Sequence, residues 1–410
     1  MFSDGTPLDA KAVEFNLERN VTLNNPRGMR LEIFSALADV EVTGPLTARI
    51  HLERPVAGAF YPLLADPETT LVSPRAVRDG VDLNTNPVGA GPFLLESAAR
   101  ENRVVMVPNP DYYAADEVRL AGVEFVHMTA SPTAVNALRA EQVDFTVLNP
   151  SLAEGVADPV VAEYLPHRAV YLVNVCKANP PLDDVRVRQA MMHAMDREAL
   201  AARIYGEHAE VAHSLRRADD RYHNPELEGM YERDLDRARQ LLADAGYPDG
   251  FEVGMFVNAA GGSGQLVGEL LQAQWAEAGI DLSLHVLTNA FQEYYIETRQ
   301  PLYPATQTRL GLDAWTILLL PGAFANVCKY ENPEIISVLE GALAMDPDSD
   351  EAVDAWQDLS ALVFEDLPFL PMVFHTEVIG YNADRLGGLE YWQNNYGNHV
   401  PRLDKVYIKA

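Results

Sequence analysis

The sequence predicts an α/β fold divided into several domains, and three observations support this prediction. The chain has 410 residues, which at about 100–200 residues per domain corresponds to two to four domains. Predicted strands and helices alternate along most of its length, as in sheets that are covered by helices. Residues 86–92 contain two prolines and two glycines, and this concentration of turn residues predicts a domain boundary.

Two short structural units are predicted in the first fifth of the chain. The turn residues Asp4 to Pro7 precede an amphipathic stretch at 9–20, which predicts a turn followed by a helix. Alternating apolar residues predict strands at 39–43 and 48–52, with Gly44 and Pro45 forming the hairpin turn between them.

The remainder of the chain repeats a strand and helix pattern. A strand, helix and strand at 123–127, 131–141 and 143–147 predict a βαβ unit on a mainly parallel sheet. Asp183 or Asp184 is predicted to cap a helix that continues to about Tyr205. Further elements are predicted as helices at 235–245, 265–278 and 350–365 and as strands at 104–107, 251–257 and 281–286, and an apolar stretch follows at 369–374.

The charge balance excludes two classes of partner. Asp and Glu number 60 and Lys and Arg 31, so the formal net charge is −29. A chain this negative repels nucleic acid and anionic lipid, and we expect neither as a partner. No apolar run approaches the length of a membrane span, and the first residues lack the basic and apolar regions of a secretion signal.

No catalytic, metal or cofactor motif is found. The glycine-rich residues 261–264 precede a predicted helix but lack the Lys-Ser or Lys-Thr of a phosphate loop, so Ser263 is better explained as a helix cap. His208 and His213 are five residues apart, which places them on different faces of a helix, and His223 is more distant. We therefore predict no metal site and no cofactor.

The two cysteines, Cys176 and Cys328, leave two possibilities open. They form one bridge, or they are separate small hydrophobic residues, and their spacing does not decide between the two. Free cysteines are often buried in the core, and this tendency favours two separate hydrophobic residues.

A binding module is favoured over an enzyme on the residues alone. Aromatic and polar residues occur near the predicted segment crossings, and α/β proteins of several domains usually bind ligands in the crevice between domains. A buried core position is an equally good explanation for Trp315, which lies beside a run of leucines.

Seven short motifs, in order along most of the chain, resemble one known family. They are residues 2–8 (FSDGTPL), 86–93 (NPVGAGPF), 109–113 (NPDYY), 180–190 (PPLDDVRVRQA), 243–251 (ADAGYPDGF), 330–334 (YENPE) and 365–371 (EDLPFLP). They are similar to the motifs of bacterial solute-binding protein family 5, the peptide, oligopeptide and nickel binding proteins of ABC transporters.

The resemblance implies a bi-lobed periplasmic-binding-protein-like fold (type II, cluster C) with an extra small α+β domain. It places the small domain at 1–86, the first α/β lobe at 87–175 with 373–410, and the second α/β lobe at 176–372. In the family, a secretion signal and an N-terminal part of the first lobe precede the DGTP motif. The sequence therefore predicts an N-terminal truncation, a missed start or a divergent relative.

The resemblance also implies a function. Family members are extracytoplasmic, bind a solute between two lobes that close about a hinge, and pass it to an ABC transporter permease. We expect a peptide-like or amine-bearing small molecule as ligand and a monomeric protein. An enzyme retained in the cytoplasm on the same scaffold, with His213, Asp219 and His223 as first candidates, and a scaffold protein without ligand are the alternatives.

The predicted ligand-binding residues combine the resemblance with the residue types. They are Asn149, Asn174, Asp313, Trp315, Asn326 and Tyr330. Peptide-binding members resemble W-x-x-DYPDP in the ligand loop, whereas residues 309–315 here are RLGLDAW. Asp313 is the acid available there, and a carboxylate in a closing cleft makes a strong bond to a cationic group.

Overall fold

A computed structural model of the chain describes residues 1–22, 32–65, 69–99, 103–128, 132–148, 150–153, 155–259, 264–296, 301–307, 312–390, 392–395 and 398–409. Its helices are α1 (Ala10–Thr22), α2 (Ala57–Leu63), α3 (Pro74–Arg78), α4 (Pro132–Arg139), α5 (Pro150–Ala153), α6 (Val185–Ala194), α7 (Arg197–Tyr205), α8 (Leu235–Asp244), α9 (Gly264–Ala276), α10 (Ala290–Tyr295), α11 (Asp313–Leu319), α12 (Pro333–Ala344) and α13 (Asp350–Asp366). None in the described ranges is long and apolar enough to cross a bilayer.

The strands are β1 (Leu37–Gly44), β2 (Thr47–Leu52), β3 (Phe93–Ala99), β4 (Arg103–Pro108), β5 (Val123–Val126), β6 (Phe145–Leu148), β7 (Val160–Val175), β8 (Glu210–Val211), β9 (Phe251–Asn258), β10 (Ile280–Leu287), β11 (Leu302–Gln307), β12 (Phe369–Asn382), β13 (Leu386–Gly387), β14 (Trp392–Asn395), β15 (Asn398–Pro401) and β16 (Tyr407–Ile408). A large sheet has the order β10-β9-β11-β7-β12-β6, with β8 beside β12. The smaller sheets are β1-β2, β3-β4-β5, β13-β16 and β14-β15.

Strand direction gives the large sheet two unlike ends. β10 and β11 are parallel to β9, and β11 and β12 are both antiparallel to β7. The carboxyl ends of β9, β10 and β11 therefore lie at one end, which we call the carboxyl edge. The opposite end, where β7 finishes and β12 begins, we call the distal end.

Two long strands continue past the carboxyl edge. Val170 of β7 pairs with Gln307 and with Phe374, which marks the level of that edge. Beyond it β7 and β12 remain paired with each other, and β12 pairs with β6. The register of β12 shifts between Phe374 and Thr376, so the two crossing strands are irregular where they leave the main body of the sheet.

The large sheet is covered on both faces. One face packs on α6, α8 and α9 around Met191, Met255 and Trp275. The other packs on α11, α12 and α13 around Trp315 and Trp356. This second cluster also contains Leu17, Phe34 and Phe60 of the N-terminal part, so α1, α2 and β1 share a core with the helices of the large sheet.

Most predicted elements are confirmed and two predictions are wrong. The β1 and β2 hairpin and the parallel unit formed by β9, α9 and β10 are present. The helix predicted to reach Tyr205 is instead two helices, because the Asp196 carboxylate accepts a hydrogen bond from the Ala199 N–H at 2.8 Å and caps a new helix. The prediction for Ser263 lies outside the described residues.

The predicted βαβ unit at 123–147 is not formed. β5 pairs antiparallel with β4, and β6 pairs antiparallel with β12. The spacing of a strand, a helix and a strand does not determine which strands pair, and here the first strand belongs to a different sheet.

Three of the motifs that carry the family resemblance hold one another in place. The Ser3 N–H donates to the Gly89 carbonyl at 2.8 Å, and Asn109 Nδ2 donates to the Gly91 carbonyl at 2.9 Å. Asp4 accepts from Ser73 Oγ at 2.6 Å. Burial alone would raise the pKa of Asp4, but the hydrogen bonds from Ser73 and Thr6 outweigh it and lower the pKa to about 2. These motifs therefore serve the fold.

Candidate functional site

The carboxyl edge has the topology of a ligand site. β9, β10 and β11 each lead, within a few residues, into α9, α10 and α11 respectively. Ligands of open α/β sheets bind in the crevice outside the carboxyl ends of the strands. The crossing strands β7 and β12 leave at the same edge, so a molecule held there lies beside the connection to β6.

Local hydrogen bonds fix the backbone at this edge. Asn258, the last residue of β9, accepts from the Ala290 N–H at 2.8 Å through Oδ1. Asn289 accepts from the Gln292 N–H at 3.2 Å and caps α10. The ends of two neighbouring strands are thereby tied to the start of one helix.

A tyrosine and a histidine join α7 to the crossing strand β12. The Tyr205 hydroxyl lies 2.7 Å from His375 Nδ1. Burial, and then the nearby Tyr171, raise the pKa of Tyr205, so its hydroxyl stays protonated. Tyr171 lies at the same edge, where a Cβ built on Gly264 at the start of α9 would be 3.6 Å from its hydroxyl. The sequence pattern did not select Tyr205 or His375 for the site, and Tyr171 was one of the aromatic residues near predicted segment crossings but not one of the six predicted ligand residues. His375 directly follows the apolar stretch at 369–374, and that adjacency is the one signal for it.

Two of the six predicted ligand residues are close to this edge in sequence. Asp313 is the first residue of α11, which follows β11 after a short connection, and its side chain is outside the described part of the structure. Asn149 lies outside the described residues altogether. Their role in ligand binding remains a prediction.

Three other predicted residues meet at the distal end. Asn174 is buried near the end of β7 and donates to Tyr295 Oη at 2.8 Å. Asn326 donates to the carbonyl of Tyr330 at 2.8 Å and accepts from its N–H at 2.7 Å, so both ends of the amide close the 326–330 turn. Along β7, Asn174 is four residues from Val170, which corresponds to about 13 Å.

Trp315 lies in the core under α11. Its side chain is 1% exposed and packs in the cluster between the sheet and the helices α11, α12 and α13. Its indole Nε1 is buried without a hydrogen-bond partner. The structure thus places Trp315 at a buried core position, and its role in ligand binding remains a prediction.

Tyr330 belongs to a network centred on Asp366. The Tyr330 hydroxyl and Asn332 Nδ2 both donate to Asp366 Oδ2, and Arg188 donates to Asp366 Oδ1 at 2.8 Å. Arg188 is 3% exposed and also donates to the carbonyls of Leu182 and Asp366. Three family motifs therefore converge on one carboxylate, which ties α6, α13 and the start of α12 together.

The two cysteines are joined, which corrects the interpretation that cysteine burial favoured. Cys176 follows β7 and Cys328 lies in the turn after α11, and their sulfur atoms are bonded. Residues 152 apart in sequence meet because β7 and the turn both reach the distal end. Spacing could not show this, since only the tertiary fold brings the two segments together.

Lys177 lies next to this disulfide. Its Nζ donates to the Pro368 carbonyl at 2.6 Å and is 4.5 Å from the centre of the Tyr330 ring. Burial, and then repulsion from Arg188, lower the pKa of Lys177 to about 7.

The histidines considered for chemistry have structural surroundings. His223 contacts the Arg216 carbonyl at 3.2 Å and Glu228 Oε1 at 3.0 Å. Burial lowers the pKa of His213, whose Nδ1 has no hydrogen-bond partner. In the described part of the chain no three His, Cys, Asp or Glu side chains are grouped to hold a metal ion.

Comparison with known proteins identifies the class. The sequence model of the bacterial extracellular solute-binding proteins, family 5, middle region, matches residues 1–319. The chain belongs to this family, as its motifs suggested. Family members are the extracytoplasmic solute-binding components of ABC transporters.

Individual relatives agree with this class. The chain is 26% identical over 405 residues to a glutathione-binding protein, GsiB, of Salmonella paratyphi A, covering 94% of the chain and 78% of the relative. Two solved structures share its fold. They are DppA from Helicobacter pylori in complex with the peptide STSA (TM-score 0.85, 19% identity, 99% of this chain and 82% of that one) and a dipeptide-binding protein from Pseudoalteromonas in complex with Met-Leu (0.85, 20%, 100% and 86%).

The predicted fold class and general function are therefore confirmed. The protein has the type II periplasmic-binding-protein fold and is a solute-binding protein. The boundaries predicted at residues 86, 175 and 373 remain predictions. β7 ends at Val175, whereas β12 continues through residue 373.

Proposed function

We propose that the protein binds a peptide-like or other amine-bearing small molecule at the carboxyl edge, between the part of the fold built on β9 to β11 and the part that contains β6. The observation that carries this proposal is the course of the chain. Three parallel strands end at one edge, and among the described residues only β7 and β12 of the large sheet continue past it to β6. A ligand that contacts both parts of the fold stabilises the closed state, because some of its contacts form only when the two parts close around it.

The ligand class is supported by position and by the relatives. Asp313 begins α11 near the carboxyl edge, where a carboxylate would pair with a ligand amine in a site from which closure removes water. Glutathione and Met-Leu, named for two similar proteins, each carry a free amine.

The compartment and the partner follow from the same class. Disulfides persist in oxidising, extracytoplasmic settings, and the Cys176–Cys328 bond fits such a location. The loaded, closed monomer would be recognised by an ABC transporter permease and would release its ligand unchanged.

Calorimetry on the wild type and on Asp313→Asn tests the ligand site. We expect glutathione or Met-Leu to bind the wild type, and the substitution to weaken binding by about tenfold or more, because a hydrogen bond to a charged group is worth about 1.5–3 kcal/mol. Asp358→Asn, which removes an exposed acid from α13, should leave affinity unchanged.

Native mass spectrometry of the purified protein completes the test. A co-purifying amine-bearing molecule that is recovered chemically unchanged supports the proposal. Absence of any bound molecule together with no binding of either probe contradicts the ligand class, and conversion of the bound molecule into a product would favour the enzyme alternative.

A further inference from the structure

A small pocket lies at the distal end, away from the carboxyl edge. Its walls are formed by the end of β7, the start of β12, α10, α11 and the 325–328 turn. It has room for about one water-sized particle. Three of the side chains that line it carry an amide or amino nitrogen, namely Asn174, Lys177 and Asn326.

The hydrogen-bond donors of Lys177 and Asn174 are only partly used. An ammonium group has three donors. In the described contacts one is taken by the Pro368 carbonyl and one side of the group rests on the Tyr330 ring. Asn174 Nδ2 has two hydrogens and gives one to Tyr295 Oη. Donors therefore remain for a particle in the pocket.

The charges around the pocket do not balance. Lys177 and Arg188 are cations, and Asp366 is the carboxylate that acts on both. Asp366 is already bound by Arg188, Tyr330 and Asn332. Tyr330 remains neutral because burial and Asp366 raise its pKa, and the side chains of Asn174, Asn326 and Tyr294 carry no charge at neutral pH. With Lys177 in its ammonium form, the cluster thus has one positive charge in excess.

We propose that the distal pocket binds a single monovalent anion of halide size, held by the Lys177 ammonium and the free amide hydrogen of Asn174. The water-sized space excludes phosphate, sulfate and carboxylates, and the excess positive charge favours an anion over a neutral water. Chloride is the abundant ion of this class. By neutralising Lys177 it would stabilise the junction of β7, β12 and the disulfide-linked turn.

Protonation of Lys177 and anion binding are linked. The ammonium form is the one that attracts an anion, and the pKa of Lys177 is lowered to about 7 by burial and by Arg188. Anion binding should therefore strengthen as the pH falls through the neutral range. Arg188 and Asp366 are the other charged groups that act on Lys177.

Thermal unfolding in sodium chloride and in sodium gluconate at equal ionic strength tests the proposal. At about pH 6 we expect chloride to raise the unfolding midpoint of the wild type by about 2 °C over gluconate, and at about pH 9 the difference should vanish. Lys177→Met should show no chloride effect at either pH. Lys11→Met, which removes an exposed lysine of α1, should keep the wild-type response.

Crystals of the wild type soaked in bromide give a second measurement that does not depend on a variant. We expect an anomalous peak in the pocket in contact with Lys177 Nζ. A pocket that holds only water, equal midpoints in chloride and gluconate, or an undiminished chloride effect in Lys177→Met would overturn the proposal.

Discussion

The two ends of the large sheet differ in how tightly they are cross-linked. At the distal end, a disulfide, the Asp366 network and the Asn326 amide connect β7, α6, α13 and the turn after α11. At the carboxyl edge, the described polar contacts include helix caps, the pair of Tyr205 and His375 and a hydrogen bond from Thr376 Oγ1 to the His208 carbonyl. The distal end is thus cross-linked by a covalent bond and by the ion pair of the buried Arg188, whereas these contacts at the carboxyl edge are hydrogen bonds.

This contrast separates stability from binding. A protein that closes around a ligand needs a rigid domain that carries the site and a hinge that can change conformation. The distal end is suited to the rigid part, and the irregular strands β7 and β12 at the carboxyl edge are suited to the hinge. Changes at the distal end should therefore affect stability far more than affinity, and three measurements test that separation.

Removal of the disulfide should have the largest effect. The variant Cys176→Ser with Cys328→Ser frees residues that are 152 apart, and we expect a loss of about 4 kcal/mol in the free energy of unfolding, because the bond restricts a long loop in the unfolded chain. Urea unfolding measures this loss. Reductant should destabilise the wild type similarly and leave the variant unaffected.

The same variant tests the separation directly. Ligand affinity should stay within about twofold of the wild type, because sites more than about 10 Å apart are usually independent. A large loss of affinity would show that the distal end takes part in binding after all.

Asp366→Ala should have the next largest effect. It leaves the buried Arg188 without its carboxylate and removes the acceptor of Tyr330 and Asn332. We expect a loss of about 3 kcal/mol in the free energy of unfolding, since breaking a buried ion pair strands the remaining charge. Glu365→Ala, at an exposed neighbouring position, should cost less than about 0.5 kcal/mol. Equal losses in the two variants would contradict the network.

The smallest expected effect is a pH dependence that Lys177 produces. Its pKa is lowered to about 7 in the folded protein, whereas an unfolded lysine titrates near pH 10.4, about its ordinary value. Between these values the unfolded chain binds more protons, so the free energy of unfolding rises with pH. In gluconate we expect a rise of about 1–2 kcal/mol from about pH 7 to pH 9, reduced by partial exposure of the amine. Lys177→Met should lose this rise, and an unchanged slope would contradict the assignment.

Local sequence signals predicted an element well where its conformation depends on the residues of that segment alone. The hairpin at Gly44 and Pro45 and the helix before Gly246 were found from turn and capping residues. The break at Asp196 was missed because the apolar pattern continues across it, while the Asp196 carboxylate caps the start of a new helix. The prediction of a parallel unit at 123–147 was wrong because β6 pairs with β12, which lies more than two hundred residues further along the chain.

The candidate site was harder to predict than the elements. The types of residue selected for it are those that line ligand clefts, but the same types also stabilise turns and cores. Asn326 closes a turn with its amide, and Tyr330 binds Asp366. Tyr205 and His375 were not selected, because each gains its place only when α7 packs against β12.

The sequence by itself determined the family and the class of fold, since its motifs keep the spacing and the turn and capping residues that local conformation requires. Only the tertiary structure decided that Cys176 and Cys328 are bonded, that three motifs meet at Asp366, and that Asn174, Asn326 and Tyr330 lie at the distal end. These are contacts between segments distant in the chain, and they depend on the direction and order of strands in the sheet, which no short stretch of sequence encodes.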